Sequence, residues 1–219
     1  MDQPTEPDAS ATEALLDALI RPDAADAEAQ IRSLLEAGVP GPHIYSRVIA
    51  PALASVGDLW EEGTISVAEE HFASAVVEQL MSLVYPTLFE RPARTRERIL
   101  TACVEGERHV IGLRMAADLL EGAGFDVLFV GADAPTDSLA AMAAEAQPAV
   151  CVLAAKMPAT ALTLATTVAE IQSAAPQLPL IAGGAGPAIR EVLGPEVTVV
   201  DQVDEIVASV EDAVHPRSA

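Results

Sequence analysis

From Ser10 to Glu90 apolar residues recur at helical spacing, whereas from Arg98 onward they gather in short runs. In the first region Leu15, Leu16, Leu19 and Ile20 make one stripe, and Ile31, Leu34 and Leu35 make a second that Gly38 ends. A third helix follows Pro40-Gly41-Pro42 and runs to Trp60 or Glu61, with Gly63 as its stop. Ser66-Val67-Ala68-Glu69 has the form of a capping box and opens a fourth helix that reaches Val84. Four helices with short connections predict a bundle over residues 10–90. Residues 1–9 are polar and proline-bearing and read as a disordered tail.

The later runs predict strands at 99–104, 126–130, 149–155, 178–182 and 197–200. Helical patterns fill the gaps at 109–122, 136–146, 160–174, 187–193 and 203–214. Strand alternating with helix predicts a five-stranded, parallel, doubly wound α/β domain of flavodoxin or Rossmann-like type over residues 98–219. Between the two regions, residues 91–97 carry several arginines and a proline and read as a solvated linker.

Composition narrows the function classes. Half of the 219 residues are apolar but only 3% are aromatic, so Ala, Val and Leu must fill both cores. No apolar run approaches the ~20 residues of a membrane span, and the acidic N-terminal residues do not read as a targeting signal. The net charge of −21 repels phosphate backbones, and no basic recognition helix is visible, so direct nucleic-acid binding is not expected. Cys103 and Cys151 fall inside strand runs and read as small buried hydrophobes, which points to a reducing, cytoplasmic setting. No nucleophile–base pair or phosphate loop marks an enzyme.

Candidate chemistry collects at strand ends. Glu107-Arg108-His109-Val110-Ile111-Gly112 follows the first strand, Leu153-Ala154-Ala155-Lys156 ends the third, and Gly183-Gly184 ends the fourth. In an open α/β sheet, ligands bind outside the carboxyl ends of the strands. A neutral imidazole is a good transition-metal ligand, and its second nitrogen needs an acceptor that Glu107, or Glu105, can supply. Gly112, Gly183 and Gly184 lack Cβ atoms and let backbone approach a bulky ligand.

These residues and their spacing resemble the cobalamin-binding domain family, with its pattern Asp-x-His-x-x-Gly, Ser-x-Leu and Gly-Gly, over about residues 98–215. The resemblance implies cobalamin bound with its own base off the cobalt and His109 in that place, as the metal ligand. Glu107 stands where the family has Asp, and Ala154 where it has a serine that hydrogen-bonds the displaced base. In the preceding bundle, Trp60-x9-Glu70-His71 resembles the cap of adenosylcobalamin photoreceptors of the CarH type, a likeness that spans roughly residues 10–215. It implies an adenosylcobalamin held between cap and α/β domain, with Trp60 over the adenosyl face and Glu70 and His71 holding or sensing that group. Visible light would break the cobalt–carbon bond and shift the cap.

Two departures stand out: no DNA-binding helix-turn-helix is read in this chain, and Glu61 replaces the histidine that follows the tryptophan in that family. His71 or His43 would have to supply a second cobalt ligand, and the altered position leaves room for a bilin beside the corrin. The expected role is a light sensor that signals through a protein partner or a change of oligomeric state. Corrinoid carrier proteins of methyltransferase systems, which share the layout and the cobalamin motif, give the competing reading, and a module that has kept the fold and lost the cofactor gives a third.

Overall fold

A computed structural model describes residues 6–89, 96–184 and 187–215. The chain divides into two compact units, 1–90 and 91–219.

The first unit is helical. Helix α1 spans Glu6–Ile20 and α2 spans Ala24–Glu36, where the Asp23 carboxylate accepts from the Asp26 amide as an N-cap. The expected tail is therefore shorter than residues 1–9: residues 6–9 already belong to α1, and residues 1–5 lie outside the described ones. Helix α5, Val67–Val84, starts at the reciprocal Ser66–Glu69 capping box read from the sequence. Leu15, Leu19, Ile31, Ile44, Tyr45 and Ile49 are fully buried, so the apolar stripes of successive helices meet in one core. The Tyr45 hydroxyl enters this core and donates to the Met81 carbonyl of α5 at 3.2 Å.

The third expected helix is not uniform. It runs as α3, Gly41–Ile44, then a π-helical turn, Tyr45–Ile49, then α4, Ala50–Glu61. Within the turn the Ala50 amide reaches the Tyr45 carbonyl, five residues back. Pro51 has no N–H to return to the Arg47 carbonyl, which an α-helix would require. The Thr12 hydroxyl of α1 donates to that carbonyl instead, at 2.9 Å.

The second unit is a sheet with helices on both faces. Its strands are β1 (Arg98–Val104), β2 (Asp126–Ala134), β3 (Val150–Ala155), β4 (Leu180–Gly184) and β5 (Val197–Val200). All pairings are parallel, in the order β2-β1-β3-β4-β5, which is the doubly wound, flavodoxin-like order. The intervening helices are α6 (Ile111–Gly122), α7 (Thr136–Ala146), α8 (Ala161–Ala174), α9 (Pro187–Val192) and α10 (Ile206–Val214). Leu100, Leu153 and Ala182 of the strands pack with Leu139, Leu164 and Ile189 of α7, α8 and α9 on one face. Helices α6 and α10 lie on the other, touching each other and β1 and β3 respectively.

Element ends differ from the sequence reading where backbone chemistry intervenes. β2 runs four residues further than expected, to Ala134, and its pairing with β1 becomes irregular where Gly131 and Asp133 take positive φ. β4 begins only at Leu180, after Pro179, which cannot donate to the ladder. The linker reading fails at its C-terminal end. Arg96 donates to the Ala123 carbonyl and to Glu211, and its guanidinium stacks 3.9 Å over the Phe125 ring. The linker positions 91–95 lie outside the described residues.

The strand order fixes where a ligand belongs. From β1 the chain moves to β2 on one side and then crosses to β3 on the other, so the winding reverses between β1 and β3. The carboxyl ends of those two strands flank the crevice where open α/β sheets bind ligands.

Candidate functional site

The loop leaving β1 carries Glu107 and His109 to that crevice. Glu107 has no solvent exposure, yet its carboxylate is surrounded by donors. Oε1 accepts from the His109 amide at 2.9 Å and from the His109 ring Nδ1 at 2.5 Å. Oε2 accepts from the Lys156 and Met157 amides, at 2.8 and 2.9 Å, and lies 2.8 Å from the Thr160 hydroxyl. Burial alone would raise the Glu107 carboxyl, but the Met157 and His109 amides, the His109 ring and Thr160 outweigh it and hold it at about 2. A carboxylate locked in its charged form keeps the imidazole proton on Nδ1. The ring's Nε2 then has its lone pair available. It has no hydrogen-bond partner among the described residues, and the side chain is 46% exposed.

Glu105, the alternative acceptor, is elsewhere: its carboxylate accepts from the Thr136 amide at the start of α7. Asp133 braces the loop from β2, with its amide donating to the Glu107 carbonyl and its carboxylate accepting from the Gly106 amide at 2.7 Å. His109 itself lies before α6, which starts at Ile111, and its amide donates to Glu107.

The remaining strand-end residues line up in register. Ala154 pairs with Cys103 of β1 on one side and with Gly183 of β4 on the other. The Cys103 thiol, pushed up to about 12 by burial and by the Glu107 charge, stays protonated and points at the His109 carbonyl from 3.9 Å. A Cβ at Gly112 would meet nothing within 4 Å, and one at Gly183 only the Val200 carbonyl oxygen at 3.5 Å. Packing within the chain does not demand glycine at either position. Gly184 is different, since its φ is +124° and a Cβ would fall 2.3 Å from the Ala155 carbonyl oxygen. That glycine is required by the backbone itself.

In the helical unit, Trp60 on the last turn of α4 is half-buried. On the first turn of α5 the Glu70 carboxylate accepts from the Ser74 hydroxyl at 2.9 Å and pairs with the His71 ring Nδ1 at 2.6 Å. Glu70 is thus held while His71 is 75% exposed. Glu61, next to Trp60, is exposed. His43 is tied to Asp8 of α1 at 2.7 Å, and His215 lies 3.7 Å from Glu97.

The donor set fits a metal that brings most of its ligands with it. Among the described residues no three His, Cys, Asp or Glu side chains converge to cage an ion. One carboxylate-oriented imidazole beside Cβ-free backbone suits cobalt already held by a macrocycle. Sequence reasoning missed Thr160 and the Lys156 and Met157 amides. They lie some fifty residues from Glu107, and backbone donors leave no signature in side-chain identity.

Comparison with known proteins agrees with this chemistry. Residues 11–85 and residues 97–214 each match a family model described as B12 binding domain. The chain is 32% identical over 151 residues to the HTH-type transcriptional repressor CarH of Myxococcus xanthus, covering 68% of this chain and 49% of that protein. It is 27% identical over 128 residues to trimethylamine corrinoid protein 1 of Methanosarcina mazei, covering 58% of this chain and 59% of that one. The chain spans about half the length of the repressor and about three-fifths of the corrinoid protein. The monomethylamine corrinoid protein of Methanosarcina barkeri has the same fold, with a TM-score of 0.80 at 20% identity over 93% of this chain and 99% of that one.

Proposed function

The chain belongs to the B12-binding domain family, and from that premise we propose that it is a cytoplasmic light sensor that holds adenosylcobalamin with His109 as the cobalt ligand. The observation that carries the ligand assignment is the His109 imidazole, oriented by the buried Glu107 through Nδ1 and without a partner at Nε2. When bound, adenosylcobalamin supplies a cobalt–carbon bond that visible light breaks.

The protein's part is to hold and to respond. Glu107 keeps the proton on Nδ1, so that Nε2 faces the metal as a neutral ligand. Gly112 and Gly183 leave space for the corrin edge and its substituents. Trp60 offers a flat apolar surface to the adenosyl group, and the Glu70 carboxylate, set by Ser74 and His71, can accept from ribose hydroxyls. Trp60 and Glu70 would lose those contacts if the adenosyl group left, and the bundle could then take a second arrangement read by a protein partner or by a change in oligomeric state. A net charge of −21 argues for a protein receiver over DNA. A bilin as a second chromophore, at the position where Glu61 replaces the histidine of the resembling family, belongs to the same proposal.

The similarity to trimethylamine corrinoid protein 1 favours a second reading, a methyl carrier for a methyltransferase. Absorption spectra with adenosylcobalamin, in the dark and after green light, combined with gel filtration, separate the two. A sensor gives a bound dark spectrum that converts to a different stable one with altered size. A preference for methylcobalamin and no light-dependent size change would sink the sensor. Long-wavelength bands in protein as purified would identify the bilin.

A further inference from the structure

Cobalamin carries its own lower ligand, a benzimidazole on a nucleotide tether, and cobalt has one axial position on that side. If His109 takes the position, the displaced base stays on the His109 side of the corrin because its tether holds it there. What that side offers the base can be read from the sheet.

Leu153 and Ala155 pack into the core with α7 and α8, so Ala154 points to the opposite face, where α6 and α10 lie. By the same alternation that face receives Cys103 from β1 and Gly183 from β4, the register partners of Ala154. Cys103 in turn contacts the His109 carbonyl, so the face begins directly beneath the candidate ligand. The polar side chains that β1 places on this face are already directed at partners. Thr101 is fully buried with its hydroxyl directed at the Leu128 carbonyl, and the Cys103 thiol is directed at His109. Ala154 and Gly183 are half-buried, and neither has a polar side-chain atom.

We infer that Ala154 sets the specificity for the lower base: the tail lies against an apolar strip that selects by size and apolarity, and corrinoids whose base cannot accept a hydrogen bond bind as well as cobalamin. The inference rests on the cobalamin-binding reading and deepens it. Its physical basis is an asymmetry of recognition. A site built to hydrogen-bond one group rejects analogues lacking it, because its polar atoms are left unpaired, whereas an apolar site discriminates weakly among isosteres.

Three adenosyl corrinoids test this with the full chain in the dark: adenosylcobalamin, the analogue with a p-cresol base, and adenosylcobinamide, which has no nucleotide tail. Dissociation constants come from the absorbance change on binding. The wild type should bind the p-cresol form at least as tightly as cobalamin, within about threefold, and cobinamide about tenfold more weakly. Ala154→Ser, which restores a donor, should move the cobalamin to p-cresol ratio toward cobalamin by about tenfold. Gly183→Ala, whose Cβ the fold accepts, should weaken the two tailed forms by more than it weakens cobinamide. Cobinamide binding as tightly as the tailed forms, or an unchanged ratio in Ala154→Ser, overturns the inference while cobalamin binding stands. Binding of none of the three overturns both.

Discussion

Glu107 and His109 form a unit in which one carboxylate oxygen holds the histidine and the other holds the β3–α8 loop. Oε1 takes the ring Nδ1 and the amide of His109, and Oε2 takes the Lys156 and Met157 amides and faces the Thr160 hydroxyl. The extra methylene of Glu relative to Asp gives one side chain the reach for both tasks. Ligand orientation and loop geometry therefore depend on the same atoms.

His109→Ala should abolish the histidine-ligated spectrum of bound cobalamin, and an unchanged spectrum would show that another group ligates cobalt. Glu107→Gln should keep the ligand but weaken binding by about 10–100-fold, the usual effect of removing the partner that orients a ligating imidazole. Isothermal titration with adenosylcobalamin measures the loss, and thermal melting checks that the variant is folded.

Trp60→Ala should weaken retention of the adenosyl form by about tenfold, equivalent to ~1.4 kcal/mol of lost aromatic contact. Binding of hydroxocobalamin, which lacks the adenosyl group, should be unaffected. Equal effects on both forms would mean that Trp60 supports the bundle without serving the upper substituent.

Acid should loosen the α/β unit through Glu107. Its carboxyl is held at about 2, below the 4.5 of an ordinary Glu, because native hydrogen bonds favour the charged form over the opposing effect of burial. The unfolded chain therefore binds this proton first as pH falls. The stabilisation is fully present above about pH 4.5 and is lost progressively toward pH 2. Urea midpoints measured between pH 6 and pH 2.5 should fall in this window, and the fall should be smaller in Glu107→Gln. An identical pH profile in the variant would remove Glu107 as the cause.

The two glycines that end β4 should respond differently to the same change. Gly184→Ala should cost about 2 kcal/mol or more, since φ is +124° and the new Cβ meets the Ala155 carbonyl. Gly183→Ala should be close to neutral in the absence of ligand. Urea unfolding of both variants decides it, and equal stability would show that β4 relaxes freely.

The fold was legible because period and punctuation coincide. Leu15, Leu19 and Ile31 repeat at helical spacing, while the runs from Ile99 and Val150 are too short for helices and alternate with them. His109 was legible for a local reason: its residue type, its place after β1 and its carboxylate two positions earlier are all visible in one segment. Thr160 was not, because its role depends on a contact with Glu107 that only the crossing from β1 to β3 creates. Gly183 and Gly184 look alike in sequence and differ in φ and in the backbone that an added Cβ would meet. The solvated reading of the linker missed Arg96, whose partners Phe125 and Glu211 are distant in the chain.

The π-helical turn shows the same limit and gives a sharp test. Pro51 marks a missing donor in any sequence reading, but the compensating Thr12 hydroxyl comes from another helix. Thr12→Val removes that donor from the Arg47 carbonyl and should cost about 1 kcal/mol. Pro51→Ala restores an amide four residues after Arg47, so the carbonyl gains a local partner and the turn can revert to α-helix. Thr12→Val should then cost less in the Pro51→Ala background, and a double-mutant cycle on urea unfolding reads the coupling directly. Strict additivity of the two substitutions would mean that Thr12 and Pro51 do not act on the same carbonyl.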